Sequence, residues 1–141
     1  KEATAIEFMG TVVSGLFEGA YYISKDGYRR QIAEKLGFEP FPGTLNVRIR
    51  QDDFEKRRRL ESGPGIHIEG FKDGERAFGS ANCYPVTIND EVEGALIVAE
   101  RSIHDYNVME IISPIYLRRK LGLADGDKVR LSFVPLRRSA S

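Results

Sequence analysis

Pro42-Gly43-Thr44-Leu45-Asn46-Val47-Arg48-Ile49-Arg50 reads as a β-strand entered through a turn. Leu45, Val47 and Ile49 alternate with Thr44, Asn46 and Arg48. A period of two puts the first set toward a core and the second on a polar, outward face. Thr44 and Asn46 then stand side by side, about 6.6 Å apart along the strand. A hydroxyl oxygen and an amide oxygen at that spacing can reach one small hard cation. Mg²⁺ takes few protein oxygens and leaves its other positions to water or phosphate. A half-exposed strand with polar residues outward would show the same alternation, so the rest of the chain has to decide.

The 141 residues fit a single domain, 1–141, able to bury a real core; such a domain can stand alone or form the C-terminal part of a longer chain. Lys plus Arg equals Asp plus Glu, 21 each, which argues against a protein whose main work is coating nucleic acid. Cys83 is the single cysteine, so no internal disulfide can form, and it reads as a small buried apolar residue. No run approaches 18 apolar residues and no signal-peptide core opens the chain. A cytoplasmic location and no membrane partner are the resulting expectations.

Outward from the key strand, residues 5–14 form a first strand, with Gly10 marking a bulge or a close backbone approach. Gly15-Leu16-Phe17-Glu18-Gly19-Ala20 follows, where two glycines four apart could present N–H groups to a phosphate. The lysine of a Walker A loop is missing. Residues 27–36 form a helix with Tyr28, Ile32 and Leu36 on one stripe, stopped by Gly37. Residues 38–43, with Pro40 and Pro42, make a rigid, aromatic-lined lead into Thr44. Residues 52–60 predict a short helix, with Asp52 and Glu55 as a capping box and Arg57-Arg58-Arg59 as a solvated basic face.

From Ile66 onward strands dominate: 66–71, 77–88, 95–99, 108–112 and 128–134, separated by turns at 72–74, 89–91 and 125–126. His67 points outward by this alternation. The fold class is therefore mainly β with short helices, a small antiparallel sheet or barrel. Ser113-Pro114 predicts a helix start, Ser113 as N-cap and Pro114 at the first position, running to Gly122. Three features can converge on a Mg²⁺-nucleotide: the glycine loop, the Thr44/Asn46 pair, and this positive helix end. Phe17, Tyr21, Tyr22, Phe38 and Phe41 are aromatics that could stack on a flat ring or pack in the core.

The chain resembles the archaeal CTP-dependent riboflavin kinase family. The resemblance rests on Gly15-Leu16-Phe17-Glu18-Gly19, Leu36-Gly37-Phe38-Glu39-Pro40, Pro42-Gly43-Thr44-Leu45-Asn46, and Glu110-Ile111-Ile112-Ser113-Pro114 with Leu117-Arg118. It runs in order from about Glu7 to Phe133. The resemblance implies a small closed β-barrel of the cradle-loop type. It also implies Mg²⁺-dependent transfer of the γ-phosphate of CTP to the 5′-hydroxyl of riboflavin, giving FMN and CDP. By position, Thr44 and Asn46 would be the metal ligands. Residues Gly15 to Ala20 and Ile115, Tyr116, Leu117 and Arg118 would bind the nucleotide. Ser102 and Glu110 would bind the flavin or its ribityl chain, and Glu110 is the candidate general base, with His104 and Asp105 nearby in sequence. The family pattern has glycine where Phe17 stands and a basic residue near Ala20; Lys25, Arg29 or Arg118 could supply that charge.

A second, local resemblance competes. Residues 113–129 are similar to the helix-turn-strand of swapped-hairpin transcription factors, which implies a DNA-binding module. A flavin- or nucleotide-binding protein without turnover is the other alternative. Thr44, Asn46 and the loop 15–19 separate the kinase from a DNA binder, which has no use for them.

Overall fold

In the computed structural model, the described residues are 4–14, 20, 23–100 and 106–136. Nine strands are described: β1 (Ile6–Val13), β2 (Leu45–Arg48), β3 (Ile66–Ile68), β4 (Phe71–Asp73), β5 (Arg76–Phe78), β6 (Ala81–Ile88), β7 (Val92–Ala99), β8 (Val108–Ile112) and β9 (Lys128–Phe133). Short helices among the described residues include α1 (Asp26–Leu36), α2 (Phe54–Ser62) and α3 (Leu117–Leu121). Six strands close into an antiparallel barrel in the order β6-β7-β8-β2-β1-β9, and β9 returns to β6. The closing pairs are Thr87 with Ser132 and Ile88 with Leu131. Closure removes the exposed edges that an open sheet would present.

One residue explains how β6 serves three partners. Its first half pairs with β3, through Cys83 and Ile66, and its last residues pair with β9. Pro85 lies between the two stretches. It has no N–H to donate, so the ladder changes partner where a bond could not form. The mainly β fold expected from the strand pattern is observed, and it is the closed barrel that the family resemblance implied.

The barrel interior holds Phe8, Val12, Val47, Leu96, Met109, Ile111, Val129, Leu131 and Phe133. Phe8 and Phe133 meet edge to face at 5.7 Å, a preferred aromatic geometry. Gly10 is a close approach, as its position in the strand suggested: a Cβ there would lie 2.3 Å from Val47 Cγ1. A second core lies outside the barrel. Tyr28 and Ile32 of α1 pack with Ile23 and Ile68 on Ala81, Cys83, Ala95, Ile97 and Ile112. Strands β6 to β8 are thus covered on both faces, which accounts for the unbroken run Ala95-Leu96-Ile97. Gly37 ends α1 in the left-handed region, φ 83°, its N–H bonded to Ala33 O. No described helix is long and apolar enough to cross a membrane.

Several local expectations are corrected. The segment 66–71 divides into β3 and β4, and 77–88 into β5 and β6; β4 and β5 form a separate hairpin that turns at Gly74 (φ 66°). The strand expected at 95–99 begins at Val92. The Asp52/Glu55 capping box does not form: a 3₁₀ turn over Gln51–Asp53 precedes α2, and Glu55 pairs with Arg58 at 2.7 Å. The basic run is not all solvated. Arg57 is 6% exposed, pairs with Glu61 at 2.5 Å, and donates to the carbonyls of Tyr106 and Val108. Its guanidinium also lies 4.3 Å from the Tyr106 ring centre. A buried cation needs this full set of partners.

Candidate active site

Strand pairing assembles the site. In the β2–β8 ladder Asn46 stands opposite Glu110, and in the β1–β2 ladder it stands opposite Val13. Thr44 immediately precedes β2 and reaches back over the same face. Thr44 Oγ1 lies 3.2 Å from Asn46 Oδ1 and 3.5 Å from Glu110 Oε2. Its single proton can go to either oxygen. The polar face expected to point to solvent is instead enclosed: Asn46 is 6% exposed and Glu110 8%. The alternation in β2 alone could not reveal this burial.

A small open cleft adjoins this cluster, lined by Thr44 together with Ile115, Tyr116, Leu117 and Arg118. Phe41 completes the wall and stacks on Tyr116, centroids 4.9 Å apart and planes 12° from parallel. The Phe41 N–H donates to Ser113 O at 2.7 Å, which ties the proline-rich lead to the segment after β8. Tyr116 and Ile115 are exposed at the rim, whereas Leu117 is buried. Apolar walls with a few convergent polar groups are the usual make-up of a small-molecule site.

The helix start expected at Ser113-Pro114 is corrected. α3 begins at Leu117, its N-cap is Tyr116, and it has only five residues. Ser113 Oγ donates to Glu93 O at 3.0 Å, bracing β7 against the end of β8. Residues 115–118 therefore face the cleft as an extended approach and first turn, not as the end of a long helix dipole. Of the three cations considered for the site, Arg118 lines the cleft. Arg29 pairs with Asp26 at 3.2 Å and Lys25 lies over the Phe78 ring, both around α1. Phe38 packs in the second core.

The glycine loop 15–19, Tyr21 and Tyr22, and Ser102, His104 and Asp105 lie outside the described residues. Ala20 is half-buried. Sequence reasoning missed Ser14 and Asp125 as site residues. Arg118 Nη2 binds Ser14 Oγ at 2.9 Å and Asp125 Oδ1 at 2.7 Å. Hydrogen bonds from Arg118 and Ser14 hold the Asp125 carboxyl below the usual carboxylate range, so it is ionised at neutral pH. The Asp125-Gly126 dipeptide signalled a turn, and nothing local signalled the partner.

The cluster suits a hard cation. Cis oxygens around an octahedral Mg²⁺ at about 2.1 Å stand about 3 Å apart, close to the 3.2 Å between Thr44 Oγ1 and Asn46 Oδ1. Among the described residues no group of three or more His, Cys, Asp or Glu side chains could hold a metal. A cation here would rest on the two neutral oxygens of Thr44 and Asn46, beside the Glu110 carboxylate, and would take its remaining ligands from water or from a bound anion.

Fold and site together define the class: a closed six-stranded antiparallel barrel with a hard-oxygen cluster and a cleft beside it. A family model for CTP-dependent riboflavin kinase, described as "Domain of unknown function DUF120", matches residues 12–133. The chain belongs to the CTP-dependent riboflavin kinase family. The riboflavin kinase of Methanosarcina acetivorans is 46% identical over 128 residues, covering 91% of this chain and 54% of that protein. That of Archaeoglobus fulgidus is 46% identical over 129 residues, 92% of this chain and 55% of its own length. That of Pyrobaculum calidifontis is 45% identical over 130 residues, 92% and 61%. The chain thus spans somewhat over half the length of these curated relatives.

Proposed function

We propose that this domain transfers the γ-phosphate of CTP to the 5′-hydroxyl of riboflavin, giving FMN and CDP, with Mg²⁺ held by Thr44 and Asn46. One observation carries the reading: Thr44 Oγ1, Asn46 Oδ1 and Glu110 Oε2 converge within 3.5 Å of the threonine hydroxyl, beside the cleft wall of Ile115 to Arg118. Family membership supports the reaction, and the names of the relatives support the flavin acceptor.

In the reaction the bond between the γ-phosphorus and the β,γ-bridging oxygen breaks, and a bond to the ribityl oxygen forms. The hydroxyl proton leaves as this happens. In this reading Glu110, on the strand between β2 and β7, holds the ribityl hydroxyl and accepts its proton. Phosphoryl transfer through a loose transition state demands mainly positioning and neutralised charge. When bound, Mg²⁺ supplies that charge at the transferring phosphate. Ile115 to Arg118 flank the nucleotide, with the Phe41–Tyr116 stack at the edge of the cleft and Arg118 as its cation. Residues 15–20 cover the nucleotide and Ser102 contacts the flavin in this reading.

The test is FMN formation, separated from riboflavin by chromatography, with CTP or ATP as donor and with Mg²⁺ or a chelator. FMN with CTP and Mg²⁺, little with ATP and none with chelator is the expected pattern. FMN with ATP alone overturns the donor. No FMN with any nucleotide overturns the activity.

A further inference from the structure

Arg118 reaches from α3 to the end of β1. Besides Ser14 and Asp125, its Nη2 approaches Val13 O at 3.3 Å. Ser14 Oγ donates to the same Asp125 oxygen at 2.7 Å. One cation, one hydroxyl and one carboxylate thus form a closed triangle at the residue that precedes the segment 15–19.

The carboxylate is presented from fixed backbone. Asp127 N–H bonds Ala124 O at 3.0 Å, and Ala124 N–H bonds Asp127 Oδ2 at 2.8 Å. The turn is then locked to β1: Gly126 N–H donates to Val12 O, and Val12 N–H donates to Asp127 O, both at 2.8 Å. Gly126 at φ 94° lets the chain make this turn.

As a stabilising element the pair is minor. The Asp125 side chain is 58% exposed, and surface pairs of this kind contribute little to stability. Its effect falls on orientation. A free arginine side chain samples many rotamers, and holding it in one before a ligand arrives removes that cost from binding.

We propose that Asp125, with Ser14, is a positioning residue that fixes the Arg118 guanidinium at the cleft wall for an anionic ligand, the nucleotide phosphates. This rests on the function proposed above. The Asp125 carboxylate does not touch the ligand; it sets where Arg118 stands and ties the exit of β1 to it.

The experiment compares wild type, Asp125→Asn, Asp125→Glu and Ser14→Ala. Initial-rate kinetics with CTP and riboflavin varied separately are paired with calorimetric CDP binding and thermal melting. Losing one charge-assisted hydrogen bond should raise the KM for CTP and the Kd for CDP about tenfold in Asp125→Asn. The riboflavin KM and kcat should stay within about twofold and Tm within about 2 °C, since exposed pairs contribute little stability. Asp125→Glu should recover part of the loss, and Ser14→Ala should show a smaller rise in the same two constants. Unchanged CTP affinity in Asp125→Asn overturns the proposal. So does tighter CTP binding, which would make the carboxylate a competitor of phosphate. So do CTP and riboflavin KM rising together with a fall in Tm, which would make the cluster only structural. A wild type that forms no FMN and binds no CDP instead overturns the function proposed above, and this inference with it.

Discussion

Gly10→Ala tests the packing that places β1 against β2. Gly10 shares the interior face of β1 with Phe8 and Val12, and Val47 of β2 fills the space where its side chain would be. An added Cβ would lie 2.3 Å from Val47 Cγ1 and 3.0 Å from Arg48 O. Neither neighbour yields easily: one is backbone, and the other is a β-branched side chain with restricted χ1 in a fully buried position. Overpacking of this kind costs about 1–3 kcal/mol. Removing a glycine from a strand returns about 0.5–1 kcal/mol. With the overpacking cost at about 2–2.5 kcal/mol, as neighbours that cannot yield imply, the net is a loss of about 1–2 kcal/mol. For a chain of this length each kcal/mol is about 3 °C in Tm, so melting should fall by about 3–6 °C. The clash is specific to Val47, so Gly10→Ala should cost less in a Val47→Ala background, with a coupling of at least about 0.5 kcal/mol. Thermal melting of the four proteins of this cycle measures both quantities. Asn46 is the residue before Val47, so the displaced strand should also slow FMN formation below the melting range. A Gly10→Ala protein as stable as wild type, or one whose loss is equal in both backgrounds, refutes the reasoning.

Other consequences are equally open to measurement. Glu110→Gln keeps the shape of the side chain and removes its capacity to accept a proton; kcat for FMN formation should fall about 10²-fold, the low end for a general base, and an unchanged kcat would leave Glu110 a binding role only. Arg57→Ala strips the partner from Glu61 and from two carbonyls and should cost about 3 kcal/mol in urea unfolding, because a buried pair broken on one side leaves groups uncompensated. Burial pushes the Cys83 thiol up to about 12. Its folded value is above its unfolded one, so its contribution is complete below about pH 9 and is lost as pH rises toward 12. Tyr84 and Tyr106 are raised too, each chiefly by burial and then by Glu61, and act in the same direction. Unfolding monitored against pH should show this alkaline loss, less steep in Cys83→Ala, and a thiol reagent at pH 8 should label Cys83 only as fast as the protein unfolds.

The parts of this molecule that were legible in the sequence are those set by local rules. Alternation gave the strands, Gly37 and Gly122 marked helix ends, and Gly10 announced a close approach. The Thr44-Leu45-Asn46 spacing set two oxygens on one face. The barrel's closure was not legible, because Thr87 with Ser132 joins residues far apart in the chain and leaves no periodic trace. Arg57 read as one of three solvated arginines, since only the fold brings the carbonyls of Tyr106 and Val108 to it. Ser113-Pro114 had the composition of a helix start, yet Ser113 was claimed by Glu93 of the neighbouring strand. Tertiary partners outcompeted a local capping preference there. In the site, Asn46 and Glu110 came together through strand register, and Arg118 with Asp125 through a turn that sequence marked only as a turn.

The most direct test of the account is the Thr44→Val, Asn46→Leu double variant, which keeps the side chains' size and removes both oxygens. Its fold is verified by circular dichroism and melting, and FMN formation from riboflavin and CTP is measured across Mg²⁺ concentrations. The account predicts a loss of about a hundredfold or more, since even outer-shell partners of a metal site cost 10–100-fold. It also predicts that Mg²⁺ no longer tightens CDP binding. A folded double variant that forms FMN at the wild-type rate, with the same Mg²⁺ dependence, would contradict it.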